Sequence, residues 1–224
     1  MARPIVVIGT GTAVGKTYVA ERLLRGLAHE GRAAYGYKPV ESGVTDTDVS
    51  DAARLARASS FHVKHSPVRA VFTAPISPHL ATRDEQLPID LPAIRAEVFR
   101  LASLTDVLVV ELPGGAFSPV TDGVLVAHFA RSLPDARILL VASDRLGVLH
   151  DVGATSLACA ALGLLLDAVV LSAPETPDLS TGRNAAELPL VTRTPLHGTF
   201  RRAPSDAPLA PDDPAISLAR HLTR

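Results

Sequence analysis

The nine residues Gly9-Thr10-Gly11-Thr12-Ala13-Val14-Gly15-Lys16-Thr17 are the ones most suited to chemistry, and the chemistry they suit is phosphate binding. They follow an apolar run, Ile5-Val6-Val7-Ile8, and precede a helical pattern, so the small residues fall where a strand turns into a helix. Successive backbone N–H groups in such a loop face an anion, and the helix N-terminus adds the positive end of its dipole. Ala13, Val14, Gly15, Lys16, Thr17 and Tyr18 are the candidate phosphate-binding residues. Lys16 would reach the terminal phosphates of a nucleotide, and the Thr17 hydroxyl would ligate Mg²⁺. The loop is a variant, because the usual glycine five places before Gly15 is Thr10, flanked by Gly9 and Gly11.

Two further clusters fit beside it. The run Tyr37-Lys38-Pro39-Val40-Glu41-Ser42-Gly43 places a lysine at the end of an apolar stretch, with the Ser42 hydroxyl close by. Lysine is scarce here: Lys16, Lys38 and Lys64 stand against 19 arginines, so a retained lysine marks a place where a compact ammonium matters. Lys38 is the candidate second cation, on a γ-phosphate or an anionic substrate, whereas Lys64 reads as a solvated surface group. The run Val110-Glu111-Leu112-Pro113-Gly114-Gly115 places a carboxylate at a strand end before glycines, which suits a metal-linked acid. Hard oxygen donors such as Thr17 and Glu111 match Mg²⁺. Asp51 is a candidate third ligand, although Ser50 or Asp51 could equally cap a helix. Asp46 and Asp48 read as solvated loop acids.

The elements that must hold these residues alternate. Strands are expected at Ile5–Ile8, Ala33–Val40, Val107–Leu112, Arg137–Ala142 and Ala168–Ser172. Helices are expected at Thr17–Glu30, Asp51–Ser59, Leu91–Ala102, Asp122–Arg131 and His150–Leu165. Residues 62–90 read as irregular, and the chain after Phe200 as a loosely packed extension ending in a short helix. The alternation predicts one α/β domain of the phosphate-loop type: a mostly parallel sheet with helices on both faces. In such a sheet ligands bind beyond the carboxyl ends of the strands, where every candidate cluster falls.

Composition narrows the partners. At 224 residues and 47% hydrophobic, the chain can bury a sizeable core. A formal charge of −1 gives no reason to expect nucleic acid or an acidic membrane surface. No apolar run reaches membrane-spanning length, and residues 5–8 are too brief for a secretory signal. The single cysteine, Cys159, cannot form an internal disulfide and suits a reducing cytoplasm.

Taken together, Gly9–Thr17, Gly36–Gly43, Ser50-Asp51-Ala52, Phe72-Thr-Ala-Pro-Ile-Ser-Pro-His79 and Val110–Gly115 resemble the dethiobiotin synthetases, in the family's order. The resemblance implies an ATP- and Mg²⁺-dependent cyclo-ligase acting on diaminopelargonic acid and CO₂ as a homodimer. It also implies that Lys16 and Lys38 stabilise charge, that Thr12 and Ser42 hold the carbamate, and that Gly147 and His150 begin the helix receiving the substrate carboxylate. Gly114 and Ser172 join the nucleotide site by the same resemblance.

The departures are specific. The family usually carries acids at the positions of Gly11 and Ala13, and Pro113 removes one backbone donor from its Glu-Gly-Ala-Gly-Gly run. His150 stands where the family has asparagine, as does Ser172 at the base, so triphosphate binding follows more directly than preference for ATP. An amidoligase of the same architecture is disfavoured because there is no room for a glutaminase domain. A nucleotide-switched positioning ATPase would carry an early lysine where this chain has Gly11. A diverged, catalytically weak paralogue is a third alternative, motivated by Ala13, Pro113 and Ser172.

Overall fold

The computed structural model describes residues 3–45, 49–63, 69–204 and 206–224. Asp46, Asp48 and Lys64, expected at the surface, lie outside the described residues. Five apolar runs become strands of one sheet: β1 (Ile5–Gly9), β2 (Ala34–Tyr37), β5 (Val107–Glu111), β8 (Arg137–Ser143) and β9 (Ala168–Ser172). A sixth, β10 (Leu196–Phe200), completes it in the order β10-β9-β8-β1-β5-β2, every pair parallel. Two small ribbons lie outside it: β3 (Val40–Glu41) with β4 (Ala70–Val71), and β6 (Pro119–Thr121) with β7 (Val124–Leu125).

Because side chains alternate along a strand, each buried run feeds two cores. Val6, Ile8, Leu108, Val110, Leu140 and Leu171 face one core. It is closed by α4 (Leu91–Ala102), α5 (Val126–Arg131) and α6 (Val148–Ala161). Ile5, Val7, Val109, Leu139, Val141 and Val170 face the other, covered by α1 (Lys16–His29), α2 (Asp51–Ala58) and α8 (Pro214–Leu222). Two short helices, α3 (Pro78–Asp84) and α7 (Asn184–Glu187), add to the first core through Ala81 and Ala185. The expected parallel sheet with helices on both faces is therefore what the chain forms. Cys159 is buried within α6, and burial pushes its thiol up to about 11, consistent with a small apolar residue.

Several boundaries differ from expectation, each for a local reason. The stretch 62–90 is not wholly irregular, since it holds β4 and α3. The expected Ala33–Val40 strand ends at Tyr37, and the chain then leaves the sheet to pair β3 with β4. The expected helix at Asp122 starts only at Val126, because residues 119–125 turn back as a hairpin with Gly123 at φ +77°. Strand β10, Leu-His-Gly-Thr-Phe, carries too little apolar patterning to be seen in sequence. The segment after Phe200 is held more firmly than its prolines and aspartates imply. Ala215, Leu218, Ala219 and Leu222 pack into the second core, and Arg22 of α1 pairs with Asp213 and donates to Ala207 O at 2.7 Å.

The α1–α8 contact is close enough to need a glycine. A Cβ built on Gly26 would stand 2.4 Å from the Ala215 carbonyl oxygen, backbone that cannot swing aside. Glycine to alanine in an open helix stabilises by about 1 kcal/mol. Here Gly26→Ala is expected to destabilise by about 1–3 kcal/mol through overpacking, read as a lower urea midpoint with an unchanged slope. A raised midpoint would overturn this view of the contact.

Candidate active site

The central strand is flanked by β8 and β5, and the loops leaving β1 and β5 run to helices on opposite faces of the sheet. That divergence opens a crevice at the strands' carboxyl ends. A cleft of about 720 Å³ occupies it, lined by residues from the loops after β1, β2, β3 and β5. The phosphate loop forms its floor. Gly15, at φ +92°, starts α1 with no side-chain cap, so the first-turn N–H groups stay available to an anion. Ala13 takes a left-handed backbone as well, at φ 57°. Opposite, Gly115 packs flat on the loop. A Cβ there would lie 3.0 Å from Gly11 Cα and 3.2 Å from Thr10 O.

Lys38 is the hub of the cleft's charges. It extends past the tip of β2, with only 6% of the residue exposed. Its ammonium donates to Asp51 Oδ2 at 2.9 Å and to Glu111 Oε1 at 2.5 Å. The Thr17 hydroxyl donates to the same Glu111 oxygen at 2.9 Å. Burial pulls the Lys38 pKa down, but Glu111 and Asp51 outweigh it, so the ammonium is held charged well above the usual lysine range. Burial likewise raises the Asp51 carboxyl, and the Lys38 ammonium more than reverses that, leaving it below the usual range. Ser50, not Asp51, caps α2, its hydroxyl accepting from Ala53 N at 3.1 Å. Asp51 is thereby free to face Lys38.

Sequence reasoning missed what holds this hub. Glu41 accepts from Asp51 N at 2.5 Å and so pins the start of α2 against β3. Arg54, one turn on, is gripped by Glu21 of α1 through two bonds of 3.2 and 2.6 Å and lines the cleft. Only the spacing of Asp51 and Arg54 along one helix face hinted at a shared role. The Phe72–His79 motif forms a wall, since Pro75, Ile76, Ser77 and Pro78 line the cleft. Glu85 fastens that wall by accepting from Thr73 N at 2.9 Å and Ala74 N at 3.0 Å.

The candidates are distributed unevenly. Thr12, Ala13, Gly15, Lys16, Thr17, Tyr18, Lys38, Ser42, Asp51, Glu111 and Gly114 all line the one cleft. Val14 is buried in the core beneath the loop. Ser172, expected at the base, is instead buried under the phosphate loop, where a Cβ on Gly15 would lie 2.3 Å from its hydroxyl. The rim is built by Tyr18, whose hydroxyl donates to Arg201 O at 2.7 Å, and by Glu175 and Arg202. Gly147 and His150 are exposed at the start of α6 and do not line the cleft of their own chain.

The donor set suits Mg²⁺. Glu111 is fully buried, and its Oε2 lacks a hydrogen-bond partner among the described residues, an orphaned carboxylate oxygen that a cation would satisfy. Thr17, Asp51 and Glu111 are hard oxygen donors, and Mg²⁺ keeps water and nucleotide oxygens in the rest of its shell. The buried Ser42 hydroxyl likewise lacks a partner among the described residues.

Lys16 offers a test of the phosphate site. Its ammonium donates to Gly11 O at 3.1 Å. Burial lowers its pKa to about 8, with Glu111 opposing and Lys38 assisting. Phosphate anions would raise that value, so triphosphate binding at about pH 8.5, where the free lysine is largely neutral and the triphosphate fully ionised, should take up a proton. Calorimetry in two buffers of different ionisation heat measures it. The uptake should shrink towards neutral pH, and its absence at the higher pH would remove Lys16 from the phosphates.

Residues 3–205 match a family described as an AAA domain. An ATP-dependent dethiobiotin synthetase from an Anaeromyxobacter species is 36% identical over 200 residues, spanning 87% of this chain and 88% of that protein. The synthetase of Baumannia cicadellinicola is 31% identical over 229 residues, 99% of this chain and 97% of its own. Among solved structures, the MinC:MinD cell division complex of Aquifex aeolicus superposes with a TM-score of 0.59 at 13% identity, over 99% of this chain and 96% of that one. A ParA family ATPase from Chlorobium tepidum gives 0.54 at 16% identity, over 100% and 91%. These two likenesses establish the phosphate-loop fold alone, whereas identity sustained over nearly whole chains goes further: this chain belongs to the dethiobiotin synthetase family.

Proposed function

We propose that the chain is an ATP- and Mg²⁺-dependent dethiobiotin synthetase that closes diaminopelargonic acid (7,8-diaminononanoate) and CO₂ into a ureido ring. The observation that carries this reading is the Lys38 ammonium in the cleft beside Glu111 and Asp51, with the unpartnered Ser42 hydroxyl on the same wall. A positioning ATPase would carry its second lysine early in the phosphate loop, where this chain has Gly11, whereas here the second lysine lies beyond the tip of β2.

One substrate amine adds to CO₂ and loses a proton, giving a carbamate. A carbamate oxygen then attacks the γ-phosphorus in line, the bond to the β-phosphate oxygen breaks, and ADP departs from a carbamic-phosphoric anhydride. The second amine attacks the carbamate carbon and expels inorganic phosphate, closing the ring. Two anions must meet in the middle step, so the site needs cations aimed at developing charge more than it needs a nucleophile. Lys16 serves the phosphates, while Lys38 bridges the γ-phosphate and the carbamate. Thr12 and Ser42 hold the carbamate oxygens, and the wall of Pro75 and Ile76 packs against the substrate's aliphatic chain. Mg²⁺, held by Thr17, Asp51 and Glu111, would neutralise charge on the triphosphate oxygens. Gly147 and His150, outside their own chain's cleft, suit a homodimer in which each α6 start receives the carboxylate of substrate held by the other copy. A buried free cysteine fits a cytoplasmic setting, and no helix among the described residues is long and apolar enough to cross a membrane.

Lys38→Gln should lower dethiobiotin formation by about a hundredfold or more while leaving the circular dichroism spectrum unchanged. Incubation with diamine, bicarbonate, Mg²⁺ and ATP, GTP or CTP, followed by mass analysis, reads it. Near-normal turnover in the variant, or no dethiobiotin from the parent with any triphosphate, refutes the reading. Ser42→Ala is expected to raise KM for the diamine with little change in KM for the nucleotide, and the reverse pattern would move Ser42 out of the carbamate site.

A further inference from the structure

The atoms assigned to the metal in the reading above are already engaged by a cation. Glu111 Oε1 and Asp51 Oδ2 both accept from Lys38 Nζ, at 2.5 and 2.9 Å, and Thr17 Oγ1 donates to the same Glu111 oxygen at 2.9 Å. The ammonium thus sits among the three side chains that would hold Mg²⁺. One lysine does not exhaust them. Glu111 Oε2 is left buried without a partner among the described residues, while the Asp51 carboxylate, besides Lys38, pairs with Arg54 Nη1 at 3.7 Å and is hydrogen-bonded by the Thr17 hydroxyl. Arg54 is itself held by Glu21 through two bonds.

Lys16 is placed by the same logic, its ammonium turned back on its own loop at Gly11 O. Both lysine ammoniums of the cleft therefore rest on protein oxygens. A buried ammonium gives up carboxylate partners only when another anion replaces them, because bare burial of its charge is costly. A metal ion entering alone supplies no such anion and is repelled by the resident charge. A triphosphate supplies several.

Resting on the metal assignment above, we propose that Lys38 is a built-in stand-in for Mg²⁺. It holds Asp51 and Glu111 in the metal-free site and yields them only when the triphosphate, arriving with its metal, takes over the ammonium. Lys38 is then delivered to the phosphate in the same event that loads the metal. Mg²⁺ cannot occupy the site ahead of the nucleotide, and the lysine reaches a reacting carbamate only once the nucleotide is in place.

The test measures metal binding, not turnover. Mn²⁺, a spectroscopic substitute, is titrated by electron paramagnetic resonance into the full-length parent, Lys38→Gln and the double variant Lys38→Gln/Glu111→Gln, without nucleotide. The parent is also titrated with a non-hydrolysable ATP analogue. The parent should bind Mn²⁺ weakly alone and well with the analogue. Lys38→Gln should bind it alone at least about tenfold more tightly than the parent, and the double variant should lose that gain. Analogue-dependent binding in the parent with no gain in Lys38→Gln overturns the stand-in role alone. No binding in the parent even with the analogue overturns the metal assignment itself, and this proposal with it. Should Lys38→Gln fail to fold in metal-free buffer, Mn²⁺ must restore its circular dichroism spectrum, and failure to do so also overturns the proposal.

Discussion

The buried pairing of Lys38 with Glu111 joins the tips of β2 and β5, and the geometry of the cleft depends on it. The Lys38 ammonium and the Glu111 carboxylate are buried and tolerable only as a pair, while Asp51, a third exposed, adds a second anion from the cleft side. Removing one member of such a buried pair costs about 3–5 kcal/mol, because the other keeps its charge without its partner. The set is also the point at which four elements meet: Thr17 opens α1, Lys38 extends β2, Asp51 opens α2 and Glu111 ends β5. Their alignment fixes the charged centre of the cleft.

What brings the four together is the sheet's topology. With β1 between β8 and β5, the chain leaving β1 crosses to one face and the chain leaving β5 to the other. The loops must then pack tip to tip across the opening. Gly115 lies against Gly11 with no space for a side chain, and Ala116 N donates to Gly9 O at 2.8 Å. The phosphate loop is thus braced from β5 as well as from its own helix, so its N–H groups are aimed before any ligand arrives. Further out, Glu41, Glu21 and Glu85 each secure one wall through hydrogen bonds to backbone or arginine.

MinD and ParA share this sheet at low identity, yet the resemblance stops at the fold. The shape of this chain's cleft is set by what surrounds its phosphate loop. Here the second buried lysine projects from the tip of β2, and the β3–β4 ribbon, anchored by Phe72 N donating to Glu41 O at 2.9 Å, adds a wall beside it.

The amino-acid sequence by itself determined the elements with strong, short-range signals. Apolar runs such as Ile5–Ile8 and Val107–Leu112 are strands because both faces are buried. Gly15-Lys16-Thr17 marks a loop–helix joint through small residues that no other local structure would favour. The rarity of lysine singled out Lys16 and Lys38 before any geometry was known. Weakly patterned segments were hidden: β10 is apolar only at its two ends and the β6–β7 strands are too short to show a period, whereas the final helix α8 was expected and only its packing was not. Only the tertiary structure decided which side chains share the cleft. Glu41, Arg54 and Glu21 come from separate elements and act through contacts that no local pattern encodes. Ser172, which by resemblance stands where the family has its base-recognition asparagine, lies beneath Gly15, because the end of β9 lies under the phosphate loop. Periodicity follows from neighbours in sequence, and so it can be read along the chain. A charge's partner follows from neighbours in space, which only the packed sheet selects.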